Sequence, residues 1–123
     1  MGLPKAHRLR NRQDYRAVYV QGTRRYSPHL TLVVLKEEKQ LSAVSTPATM
    51  FGISISKKVS KKAVVRNRIK RQLKGVIRNN LKEITPGWKV IIVVKPKAIE
   101  CNYEHFLREL EKLLKKTKII NGY

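Results

Sequence analysis

The residues able to do most chemistry lie between Lys57 and Lys82, where eleven lysines and arginines occur without a single carboxylate. Arginine can grip two phosphate oxygens at once and lysine supplies a compact point charge, so Arg66-Asn67-Arg68-Ile69-Lys70-Arg71 suits a phosphate backbone. A helix face kept charged for solubility alone interleaves both signs, and this one does not. The candidate phosphate contacts are Lys61, Lys62, Arg66, Asn67, Arg68, Lys70, Arg71, Lys74 and Arg78. A second basic region, Met1 to Arg25, sets seven cations against Asp14 alone. Within it Tyr15 and Tyr19 stand one helical turn apart beside Arg12 and Arg16. Two rings next to a positive groove could stack bases of a single strand. The same spacing also serves ordinary core packing, for which Val18 is the better candidate on that helix.

No catalytic set emerges. Hydrolysis of RNA by a protein wants a histidine pair or a metal-binding carboxylate cluster. Glu104, Glu109 and Glu111 instead read as i,i+4 surface partners of Arg108, Lys112 and Lys115. His7, His29 and His105 are scattered without ligand spacing, and His105 is expected to be exposed. Cys101, alone, rules out an internal disulfide and a multi-thiolate zinc site and reads as a small apolar filler. Hence neither a catalytic residue nor a metal ligand is expected in this chain.

These groups need a scaffold, and 123 residues suffice for one domain with a modest core. Residues 1–7 and 117–123 are expected to be loose. With 28 Lys and Arg against 8 Asp and Glu the net charge is +20, a field that favours a polyanionic partner. The hydrophobic fraction of 41% argues for a folded chain rather than a disordered basic tail. Neither an apolar run of membrane-spanning length nor a secretory signal is present, so cytoplasmic residence and no membrane partner are expected.

Apolar and aromatic spacing predicts a first helix from Asn11 or Arg12 to Val20, ending before Gly22. Strands follow at Leu30–Leu35 and Phe51–Ser56, expected to pair antiparallel, with a Ser/Thr/Ala/Pro loop from Ser42 to Thr49 before the second. Alternation leaves Ser54 and Ser56 on a small, polar, open sheet face, joined by Thr31 and Val33 from the first strand. Ser60 would cap a helix from Lys61 to Leu81 whose stripe Val65, Ile69, Leu73, Val76 and Ile77 faces the core. Trp88–Val94 is a buried central strand, and Asn102 caps a final helix reaching Lys116. The predicted order is αββαβα.

Arg66-Asn67-Arg68-Ile69-Lys70-Arg71, preceded by Ile53-Ser54-Ile55-Ser56-Lys57-Lys58 and by Arg8-Leu9-Arg10, Asp14-Tyr15 and Gly22-Thr23, resembles the protein subunit family of bacterial-type ribonuclease P. The resemblance runs from Arg8 to about Leu114. Departures are tyrosine at 15 and 19, where phenylalanine is frequent, and a long Ser42–Met50 loop. It implies a two-layer α+β sandwich with a small mixed sheet and a left-handed βαβ crossover, against the usual hand. It also implies that a catalytic RNA subunit, with Mg2+ in the holoenzyme, removes the 5′ leader of precursor tRNA, while the protein binds no cofactor itself. The helix bearing Arg66 would face the catalytic RNA. The leader would lie between the first helix and the open sheet face, against Arg12, Tyr15, Arg16, Tyr19, Thr31, Val33, Ser54, Ser56, Lys57 and Lys58. A monomeric protein is expected. The competing reading is a structural rRNA-binding or ribosome-assembly protein, with sequence-specific DNA binding weaker because no helix-turn-helix partner or leucine heptads accompany the basic helix.

Overall fold

In the computed structural model, which describes residues 3–36 and 48–120, seven regular elements follow one another. They are α1 (Arg12–Gln21), β1 (Thr23–Tyr26), β2 (Leu30–Lys36), β3 (Met50–Ser54), α2 (Ala63–Asn79), β4 (Trp88–Val94) and α3 (Tyr103–Lys116). Short 3-10 turns occupy Lys5–His7, Leu81–Glu83 and Pro96–Glu100. Local chemistry sets the helix starts. Asn11 Oδ1 accepts the Gln13 N–H at 2.8 Å and Asn102 Oδ1 accepts the His105 N–H at 2.9 Å. Lys115 and Lys116 in the last turn of α3 complement its dipole. The expected Ser60 cap is corrected: α2 begins at Ala63, and Ser60 Oγ accepts the N–H of Lys62, at 3.2 Å, in the turn before it. Buried Val59 anchors that turn, so the chain enters the helix later than composition suggests and Lys61 and Lys62 precede it.

The sheet has the order β1-β2-β4-β3. β4 lies antiparallel to β2 and parallel to β3, so β3, α2 and β4 form a βαβ unit. Two expectations change here. The strands at Leu30 and Phe51 are not partners, because β4 takes the place between them. Its run Val90-Ile91-Ile92 is fully buried and can be covered on both faces, as only a central strand is. In addition β1, unforeseen, makes the order αβββαβα; Thr-Arg-Arg-Tyr is exposed throughout and marks a charged sheet edge.

One sheet face, with Leu30, Leu32, Val34, Phe51, Val90, Ile92 and Val94, packs against Ile69, Leu73 and Ile77 of α2 and Phe106, Leu110 and Leu114 of α3. The other face meets α1 through Val18, Val33 and Ile91. Of the segments expected to be loose, the described parts are tied in. Leu3, Ile119 and Ile120 are buried, and Ile120 bridges to Ile84, because these apolar side chains complete the core. No helix among the described residues is long and apolar enough to cross a membrane. The Ser42–Pro47 part of the predicted loop lies outside the described residues.

Candidate nucleic-acid interface

Cross-strand partners share a face, so Arg24, Val33, Ile91 and Gly52 form one row across the sheet and Tyr26, Thr31, Val93 and Ser54 the next. α1 lies over the first row. Tyr15 and Tyr19 are half-buried against the cluster of Leu9, Val18, Val33 and Ile91. A Cβ on Gly52 would stand 2.2 Å from the Tyr15 hydroxyl, so a glycine is what lets the ring lie against β3. Burial, then the neighbouring Tyr19, holds the Tyr15 hydroxyl above the usual phenol range and keeps it neutral. Lys89 donates to Asp14 Oδ1 at 3.0 Å and ties the first turn of α1 to β4. Val33 therefore leaves the predicted cleft floor: at 1% exposure it is core beneath α1. Thr31 is buried too, at 8%, and likewise leaves the open floor, whereas Ser54 is half-buried and Ser56 is exposed.

A groove of about 190 Å3 runs between α1, β3, α2 and the N-terminal segment. Tyr15, Phe51, Gly52, Ile53, Lys70, Lys74, Arg8 and Arg10 line it. Lys70 and Lys74, assigned from sequence to the basic helix, thus share a groove with Tyr15, assigned to the first helix. The segment before α1 is strand-like: Leu9 N–H donates to the Phe51 carbonyl at 2.9 Å, and Arg8 bridges to Phe51 in parallel. Leu9 consequently points inward while Arg8 and Arg10 stay exposed beside the groove. Arg8, Arg10 and Gly52 were missed as site residues; the Arg-Leu-Arg alternation is the signal that could have found the first two.

Along α2, Asn67, Arg71 and Arg78 are exposed and Arg66, Arg68, Lys70 and Lys74 partly so. The exposed candidates Arg12 and Arg16 lie on α1, Lys57 and Lys58 in the turn after β3, and Lys61 and Lys62 just before α2. Arg66 also has a structural task, because its Nη1 donates to the Ser60 carbonyl at 2.8 Å. Together these side chains make a positive surface running from the helix onto the sheet end, of the sign that a phosphate backbone with its counterions calls for.

At the other end of the sheet the acids depart from expectation. Glu109 is no surface partner of Arg108 or Lys112: Ser27 Oγ and the His29 N–H donate to its Oε2, and His29 and His105 meet its Oε1. Burial pushes its carboxyl up, but the hydrogen bonds from Ser27, His29 and His105 outweigh that and hold it at about 2. Glu111 accepts from Asn80 Nδ2 at 2.9 Å. The two histidines, scattered in sequence and with His105 expected to be exposed, approach to 3.0 Å between His29 Nδ1 and His105 Nε2. Neither periodicity nor spacing signals a contact across 76 positions.

The comparisons with known proteins agree with this architecture. The family model described as Ribonuclease P matches residues 3–118. A ribonuclease P protein component of Microcystis aeruginosa is 59% identical, covering 100% of both chains, and one of Rippkaea orientalis is 56% identical, covering 100% of this chain and 95% of its own. Among solved structures, the RNase P protein of Staphylococcus aureus has a TM-score of 0.80 at 25% identity, covering 95% of this chain and 100% of that one. That of Thermotoga maritima has a TM-score of 0.75 at 22% identity, covering 94% and 99%. Identity of this size, running from one end of the chain to the other without a break in fold, means that the chain belongs to the ribonuclease P protein family.

Proposed function

We propose that this chain is the protein subunit of a ribonuclease P ribonucleoprotein, binding its catalytic RNA and the single-stranded 5′ leader of precursor tRNA. In this reading RNA carries the hydrolysis of one phosphodiester, leaving a 5′-phosphate on the mature tRNA. The protein holds the substrate. Arg68, Arg71, Arg78 and their exposed neighbours on α2 take phosphates of the catalytic RNA, while α1, Ser54 and the groove lined by Tyr15, Lys70 and Lys74 take the leader, with Arg12, Arg16, Lys57 and Lys58 on its phosphates. Mg2+ would be held by RNA oxygens. Among the described carboxylates, Asp14 is engaged by Lys89, Glu109 by two histidines and Glu111 by Asn80. The setting is the cytoplasm and the free protein a monomer.

The observation that carries the reading is the groove that Tyr15 lines together with Lys70 and Lys74, an aromatic residue and cations in one cleft of the kind that holds a single strand. It is tested by the ratio of precursor to mature tRNA affinity in the reconstituted enzyme. Loss of one stacked base costs about 1 to 3 kcal/mol. Tyr15→Ala or Tyr19→Ala should therefore weaken precursor binding by roughly five- to a hundredfold, and leave mature tRNA, which has no leader, unaffected. Phenylalanine at either position should be nearly silent. Equal losses for both RNAs would show that the tyrosines only hold α1 on the sheet.

A further inference from the structure

His29, just before β2, His105, in the first turn of α3, and Cys101, just before α3, come from two distant segments and converge on one point. His29 Nδ1, His105 Nε2 and Cys101 Sγ all lie within 4.8 Å of one another. Glu109 Oε1 is 2.9 Å from each imidazole nitrogen, and the two rings meet edge to face with centroids 4.5 Å apart. We propose that these four side chains form a binding site for a borderline-soft divalent transition metal of the zinc type, separate from the RNA-binding surface.

The donor set selects the ion. Two imidazoles, a thiolate and one carboxylate oxygen suit Zn2+ or Co2+, whereas Mg2+ and Ca2+ want oxygen alone. Zinc bonds of about 2.0 to 2.3 Å place tetrahedral ligands roughly 3.3 to 3.6 Å apart. The histidine and carboxylate atoms need only open by a few tenths of an ångström from their present spacing, while the cysteine side chain turns inward. Glu109 is held for the purpose. Its Oε2 is fixed by Ser27 Oγ and by the His29 N–H at 2.9 Å, which aims Oε1 at the imidazoles, the kind of outer support that metal carboxylates have. Entry is open through a cavity of about 310 Å3 bordered by Ser27, His105 and Glu109. Lys95, on the Ser27 carbonyl, and Arg108, Lys112 and Lys116, on the cavity wall, oppose a cation, so the carboxylate and the thiolate must together supply the attraction. Cysteine binds metal as the thiolate, so the metal displaces one proton from sulfur to solvent.

The RNA-free full chain, kept reduced with a phosphine, is titrated with Co2+ and followed by absorption. One equivalent should give tetrahedral d–d bands and a thiolate-to-cobalt charge-transfer band, both bleached by Zn2+. Cys101→Ser should abolish the charge-transfer band. His29→Ala, His105→Ala and Glu109→Gln should each weaken binding by about tenfold or more, and His7→Ala should change nothing. Circular dichroism confirms that each variant is folded, and Cys101→Ser, nearly isosteric, keeps the test decisive should a histidine variant unfold. An absent or octahedral cobalt spectrum, or one unaltered by Cys101→Ser and by His105→Ala, would overturn the site.

Discussion

On one face of the sheet Leu30, Leu32, Val34, Val90 and Ile92 are at most 6% exposed beneath α2 and α3. On the other, α1 seals Val33 and Ile91 and leaves the row of Tyr26, Thr31, Val93 and Ser54 beside it. The same strands supply both faces, since successive side chains point to opposite sides. Ile92 and Ile91 are neighbours in β4, yet one serves the large core and the other the floor under α1. In the proposed reading, stability and leader binding are therefore separable by the parity of a residue along its strand. The covered face must be filled by large apolar side chains, whereas the half-covered one needs small residues where a ring or an RNA backbone comes close.

The sharpest way to break this contrast is Ile92→Ala. It should cost about 2 to 5 kcal/mol in urea unfolding, while the ratio of precursor to mature tRNA affinity, measured where the variant is folded, stays at the wild-type value. A changed ratio would mean that the faces are coupled. Gly52→Ala makes the converse test. Its Cβ collides with the Tyr15 ring, so the ring or α1 must shift, at about 1 to 3 kcal/mol of stability, and the precursor preference should fall along with it.

The polar cluster at the far end should answer to acid and not to RNA. Glu109 is depressed from 4.5 to about 2, so the folded state binds its proton less readily than the unfolded one. Its contribution is fully present above the unfolded value of 4.5 and disappears as pH falls towards 2. Wild type should exceed Glu109→Gln in stability at neutral pH by on the order of 2 kcal/mol, after allowance for solvent screening. The difference should close across that window in acid unfolding curves. A gap independent of pH would assign the loss to packing. The smallest effect belongs to exposed Arg71: Arg71→Ala should weaken binding to the catalytic RNA and reduce the slope of log K against log salt by about one. Arg66→Ala is a poorer probe, because it also frees the Ser60 carbonyl.

The extents of α1 and α3, the Asn102 cap, the apolar stripe of α2 and the central strand Trp88–Val94 were all legible in the chain, because each rests on interactions between residues at most four apart or on the alternation of one strand. The basic helix and the tyrosine pair were legible for the same reason, and the combination of Arg-Asn-Arg with the Ser-x-Ser-Lys-Lys strand end was enough to point to the family. What only the tertiary structure decided is non-local. Which strand lies between β2 and β3, whether an exposed Thr-Arg-Arg-Tyr joins the sheet and whether α1 covers Val33 depend on how faces compete for burial across the whole chain. The meeting of His29 with Glu109 and His105 spans 80 and 76 positions. Such a contact costs loop entropy that local preference cannot offset, and it forms because the sheet and α3, once packed, bring the two segments together.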